Sequence, residues 1–139
     1  MTFQYPGKCS CGNVEVTITL PEKLAAYAPR ACDCDFCTAR NIQYLSHPDG
    51  SLVINSATSL EVYRQGSNQA DFLACNRCDD VIAASLKTGD GILGALNATL
   101  LSDYAMLKTP EAVSPKLLSA GDKVNRWRSV WLKVKVNEN

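Results

Sequence analysis

The 139-residue chain carries no surplus of charge of either sign, because 14 lysine and arginine side chains balance 14 aspartates and glutamates. Proteins held to nucleic acid by phosphate contacts need a cationic excess or a basic stripe, so the expectation is no nucleic-acid partner. Basic residues gather only in the segment 123–136, KVNRWRSVWLKVKV, where they read as the wet side of an amphipathic helix or strand. No apolar run approaches the roughly 18–20 residues that cross a bilayer. The first residues, MTFQYPGKCSCG, lack the basic stretch followed by an apolar one that marks a secretion signal. The expectation is a cytoplasmic protein with no membrane partner. Histidine is almost missing too: His47 is the single one, and its place before Pro48 reads as a turn.

What is present is a core. With 46% apolar and 20% charged residues, the composition fits one folded domain over residues 1–139. Val14, Val16, Ile18 and Leu20 alternate with polar residues at the period of two that gives a strand one buried face, and Pro21 ends the run. Residues 22–31 read as a connection with one helical turn. Further strands are expected at Ile42–Leu45 and Leu52–Ile54 around the turn His47-Pro48-Asp49-Gly50 and at Leu60–Tyr63 before Gly66, and Phe72 and Leu73 lead directly into Cys75. Val81–Leu86 and Ile92–Leu101 follow, joined by the turn Thr88-Gly89-Asp90-Gly91. Ser114-Pro115 is a helix start, and Leu118, Val124, Trp127, Val130 and Trp131 fall near helical spacing. A terminal helix is therefore expected, with Gly121 as a break between two shorter pieces.

Cysteine is the abundant residue: seven thiols is an odd number, so a complete set of intrachain disulfides is excluded. They form three groups, Cys9-Ser10-Cys11, Cys32-Asp33-Cys34-Asp35-Phe36-Cys37 and Cys75-Asn76-Arg77-Cys78. Thiolates one or two residues apart reach a common ion at about 2.3 Å from each sulfur, and Gly12 suits the tight turn after Cys11. Zinc takes four ligands in a structural site and often three plus an open position in a catalytic one. Counting favours a closed quartet of Cys9, Cys11, Cys75 and Cys78, leaving Cys32, Cys34 and Cys37 as an open trio. Two alternatives stand beside it. One is a redox dithiol, without the βαβ setting such motifs occupy; in the other all three groups are structural, with Asp33, Asp35 or His47 completing the middle site. Asn97-Ala98-Thr99 matches a glycosylation acceptor, an accidental match in an apolar segment.

Gly7-Lys8-Cys9-Ser10-Cys11-Gly12-Asn13-Val14, Cys32 to Cys37 and Cys75 to Cys78 resemble, in order and spacing, the glutathione-dependent formaldehyde-activating enzyme (GFA) family, also called the centromere protein V group. The likeness runs from residue 7 to 78 and extends through Asn97 to Asp103. It implies a mainly β, Mss4-like fold of small twisted antiparallel sheets, a structural zinc at the outer quartet, and a catalytic zinc at Cys32, Cys34 and Cys37. It also implies a carbon–sulfur lyase-type reaction, the joining of formaldehyde to glutathione as S-hydroxymethylglutathione. Two departures fall beside the last cysteine pair, where the family has Phe before and Gly after: this chain has Ala74 and Asp79. Thr38-Ala39-Arg40-Asn41 likewise replaces a small, Gly-containing segment.

The expected partner is a small-molecule thiol such as glutathione, its sulfur held at the open zinc position and presented to a small carbonyl. Lys8, Arg40 and Arg77 are the basic candidates for its carboxylates. The competing expectation is a zinc-stabilised binding module that presents Trp127 and Trp131 to a protein partner, although tryptophans so spaced also fit a core.

Overall fold

A computed structural model describes residues 2–32, 35–64, 70–89, 91–113 and 120–138. The alternating segment becomes strand β2 (Val14–Leu20), with Val14, Val16, Ile18 and Leu20 all buried and the residues between them more exposed. It lies between β1 (Phe3–Lys8) and β5 (Ser51–Ser56), antiparallel to both. Strand β1 gives no signal in the sequence because Pro6 interrupts it; as an edge strand it tolerates the missing N–H.

The connection after Pro21 holds one 3-10 turn, Leu24–Ala26, before β3 (Arg30–Cys32). Helix α1 (Asp35–Arg40) and β4 (Gln43–Leu45) follow. His47 is a turn residue, as expected: its Nδ1 accepts from the Asp49 N–H and its carbonyl from the Gly50 N–H. Beyond β5 come β6 (Glu61–Tyr63) and β7 (Asp71–Ala74), then β8 (Val81–Thr88) and β9 (Gly91–Asn97), which pair as a hairpin from Ala83↔Leu96 to Thr88↔Gly91. Strand β10 (Glu111–Val113), helix α2 (Ala120–Val130) and strand β11 (Leu132–Glu138) complete the order.

The chain is mainly β, but the strands join in one mixed 11-stranded sheet in place of several small antiparallel ones. Two pairs, β10 with β3 and β11 with β5, are parallel. Parallel neighbours need a long crossover, and β10 and β11 are each far in sequence from their partners, a relation that hairpin spacing does not reveal. The terminal helix is found, and Gly121 lies within its first turn without dividing it; Ser114, Pro115 and Leu118 lie outside the described residues. After Trp131 the basic segment becomes β11, where Lys133 and Lys135 face water and Val134 and Val136 are half-buried.

Two apolar clusters result. The larger holds the inward side of β2 with Leu52, Ile54, Ile82, Leu96 and Leu132. The smaller holds Cys37, Ile42, Ala74, Val81, Ala84 and Trp131, with Trp127 packed against it. Asn97 is 5% exposed; its amide donates to the Val81 carbonyl and its oxygen accepts from Thr99, which makes it a buried structural link and no glycosylation acceptor. No described helix is long and apolar enough to cross a membrane.

Candidate metal centre

Each outer cysteine pair sits in a turn at the end of a strand. In the first, the Cys9 N–H donates to the Val14 carbonyl and the Gly12 N–H to the Cys9 carbonyl, both at 3.0 Å. In the second, the Cys75 N–H donates to the Asp80 carbonyl and the Asp79 N–H to the Cys75 carbonyl, both at 2.9 Å. The residue directly after the second cysteine is left-handed in both turns: Gly12 at φ +77° and Asp79 at φ +62°. Aspartate is among the few side chains that enter this region at modest cost, so the turn closes without a glycine. Tyr63 also fastens Asp79, its hydroxyl donating to Oδ1 at 2.5 Å.

The two turns bring four sulfurs together. Cys9, Cys11, Cys75 and Cys78 lie within 4.8 Å of one another, with Cys9–Cys11 and Cys11–Cys75 separations of 3.7 Å. These thiols are free; a disulfide would place them about 2.05 Å apart. A tetrahedron with metal–sulfur bonds of about 2.3 Å has edges of about 3.8 Å, close to the Cys9–Cys11 and Cys11–Cys75 separations. Four cysteines are thus arranged to hold a metal ion, in the grouping that counting favoured.

Donors surround the sulfurs. The Val14 N–H points at Cys9 Sγ at 3.3 Å, the Arg77 N–H at Cys75 Sγ at 3.4 Å, and the Asn13 amide at Cys75 Sγ at 3.6 Å. Burial works against a Cys75 thiolate, yet the Cys78 and Arg77 N–H groups and Asn13 outweigh it together and bring its pKa down to about 6. Burial pushes the neighbouring Cys78 thiol up. Asp80 latches the turns to each other, accepting from the Ser10 N–H at 2.8 Å and the Ser10 hydroxyl at 2.5 Å. Thr58 bridges Asn13 and Asn76 through its hydroxyl. Such outer partners orient metal ligands. Asn13, Thr58 and Asp80 carry no sequence signal, because nothing in their spacing separates them from ordinary polar loop residues.

The middle trio is only partly in view. Cys34 and the side chain of Cys32 lie outside the described residues. Cys37, on α1, is 2% exposed, and its sulfur is 3.1 Å from the Tyr44 hydroxyl on β4. Both line a cavity of about 90 Å³ shared with Arg30, Phe72, Arg126 and the tryptophans. The Trp127 and Trp131 rings stack 4.8 Å apart at 14°; Trp131 is 6% exposed and Trp127 half-buried. Burial disfavours the charge on Arg30, the Arg126 guanidinium adds repulsion, and Glu111 offsets part of both. Lys8 and Arg40 line a separate depression beside Asp79 and Asp80, and Arg77 belongs to the second cysteine turn. The cations at the Cys37 cavity are Arg30 and Arg126, which the sequence did not single out.

No family model and no curated protein matches the chain. A solved structure does. The crystal structure of a Rhodobacter sphaeroides protein is similar over 78% of this chain and 99% of its own, at 24% identity and a TM-score of 0.56. Likeness at this identity concerns the fold.

Proposed function

We propose that the chain is a zinc-dependent enzyme of the carbon–sulfur lyase type with a Mss4-like fold, acting on a thiol adduct such as S-hydroxymethylglutathione. The observation that carries this reading is the tetrathiolate geometry of Cys9, Cys11, Cys75 and Cys78. It accounts for four of the seven cysteines at a closed, structural zinc and leaves Cys32, Cys34 and Cys37 for a second. All-sulfur tetrahedral coordination favours zinc over harder divalent ions.

Cys32, Cys34 and Cys37 are the residues that would hold the catalytic ion. Zinc there supplies a site for a thiol, holding its sulfur as a nucleophilic thiolate. The chain's own contribution is positional. Helix α1 aims Cys37 into the cavity, and the Tyr44 hydroxyl beside its sulfur is placed to donate to a thiolate. Phe72, Trp127 and Trp131 give the cavity an apolar wall.

The test is a zinc count with a turnover assay on formaldehyde and a panel of small thiols that includes glutathione. Wild-type protein is expected to hold two zinc ions, and the Cys34→Ser variant one firmly held ion with turnover lost. Full turnover by a folded Cys34→Ser variant removes the trio from the mechanism.

A further inference from the structure

Two guanidiniums border the cavity beside Cys37, Arg30 from β3 and Arg126 from α2. Neither has a carboxylate at ion-pair distance among the described residues, where the one ion pair joins Arg64 to Asp71; Glu111, level with Arg30 in the β10–β3 pair, offsets part of the Arg30 charge from beyond that distance. Arg30 gives an N–H to the Ser46 hydroxyl, which leaves most of its donors unused. Like charges brought together at a partly desolvated wall are unfavourable unless an anion joins them. The rest of the wall is apolar and aromatic: Phe72, Ala84, Trp127, Val130 and Trp131. At about 90 Å³ the space is small, well below the roughly 300–1,000 Å³ of sites that enclose drug-sized ligands. No acidic side chain lines it among the described residues, so the ammonium of a zwitterion such as glutathione meets no counter-charge there.

We propose that this cavity selects a small, apolar mercapto acid, its carboxylate held between Arg30 and Arg126 and its sulfur directed toward Cys37. The assignment names the substrate class of the thiol site and rests on that reading for the role of the sulfur. The carboxylate site stands on the two arginines alone. A planar guanidinium fork matches a carboxylate, and the apolar wall takes a short hydrocarbon chain.

The experiment follows tryptophan fluorescence of the zinc-loaded protein, since both indoles line the cavity, during titration with 3-mercaptopropanoate, butanoate, 1-butanol and glutathione. Butanoate keeps the acid and replaces the thiol by a methyl group; butanol removes the charge. Butanoate is expected to bind at least ten times more tightly than butanol, and 3-mercaptopropanoate more tightly than butanoate or glutathione. Arg126 is exposed on α2, so Arg126→Gln leaves the fold and zinc content intact and weakens both acids about tenfold or more. Arg30→Lys, which keeps the charge and loses the fork, weakens them less. Arg128→Gln changes nothing. Equal binding of butanoate and butanol, an Arg126→Gln effect below twofold, or glutathione as the tightest ligand overturns the inference. Butanoate and 3-mercaptopropanoate binding alike, with the Arg126 effect intact, sinks the thiol-site reading and leaves the acid site standing.

Discussion

Replacing Cys11 by serine isolates the metal's contribution to the fold. Cys11 is the exposed member of the quartet, so losing its sulfur opens no cavity in the core. A serine hydroxyl stays protonated near neutral pH and is a poor zinc ligand. Structural zinc sites bind with apparent free energies of about 10–16 kcal/mol, so an equal share for one of four ligands is roughly 2.5–4 kcal/mol. That share weakens zinc by on the order of 100- to 1,000-fold. Because the ion binds the folded state, the loss passes into stability, and a domain of this length melts roughly 10 °C lower. Competition with a chromophoric chelator reads the first quantity and a thermal melt in defined free zinc reads the second. A Cys11→Ser protein that keeps zinc within tenfold of wild type, or melts within about 2 °C of it, refutes the assignment of Cys11 as a ligand.

The left-handed turn residues make a second test. A Cβ at Gly12 meets nothing within 4 Å, so Gly12→Val carries a pure backbone cost of about 1–2 kcal/mol. Asp79→Val costs a similar amount, whereas Asp79→Gly stays near neutral as relief of the backbone offsets the lost Tyr63 bond; urea unfolding that ranks Asp79→Gly below Asp79→Val contradicts the turn geometry. Asp80→Ala removes both bonds to Ser10 and is expected to weaken zinc about 10- to 100-fold, with unchanged affinity in a chelator competition as the opposing result. In zinc-free, reduced protein, the Cys75 pKa near 6 lies below an ordinary thiol's. Its contribution to stability is therefore present above about 8.5, the unfolded value, and is lost as pH falls through about 6. Ultraviolet thiolate absorbance is expected to show one thiolate persisting down to that region, and a first thiolate appearing only above pH 8 counts against it.

Strand β2, the β8–β9 hairpin and the sulfur quartet were legible because each rests on local spacing: alternation, a glycine-bearing turn, or thiols one and two residues apart. Strands β3, β10 and β11 were not, since each is short or overlaps a helical pattern and is fixed by a partner far away in the chain. The segment ending in Val134-Lys135-Val136 reads equally as helix or strand until β5 and β9 accept it on either side. At the site, cysteine spacing identifies ligands but not their neighbours. Arg30 and Tyr44 share the Cys37 cavity only because β3 and β4 pair through Arg30↔Tyr44, and Arg126 arrives from a helix 96 residues after Arg30 in sequence number (126 − 30).

The quartet's place in the sheet would give a bound metal a mechanical role. Strands β2 and β8 are not neighbours; β5, β11 and β9 lie between them in the ladder. The sheet nevertheless curls far enough for Gly7 of β1 to bridge Leu101 just beyond β9. At Gly7 a Cβ would sit 2.6 Å from the Leu100 carbonyl oxygen, so this closure tolerates no side chain. Hydrogen bonds across it are few, and the cysteine turns stand beside it. An ion shared by Cys11 and Cys75, 64 residues apart, would hold the two turns together across this seam in the folded state, and its binding free energy would add to stability by linkage. A metal at this seam would do the work that a strand-to-strand ladder does elsewhere in the sheet.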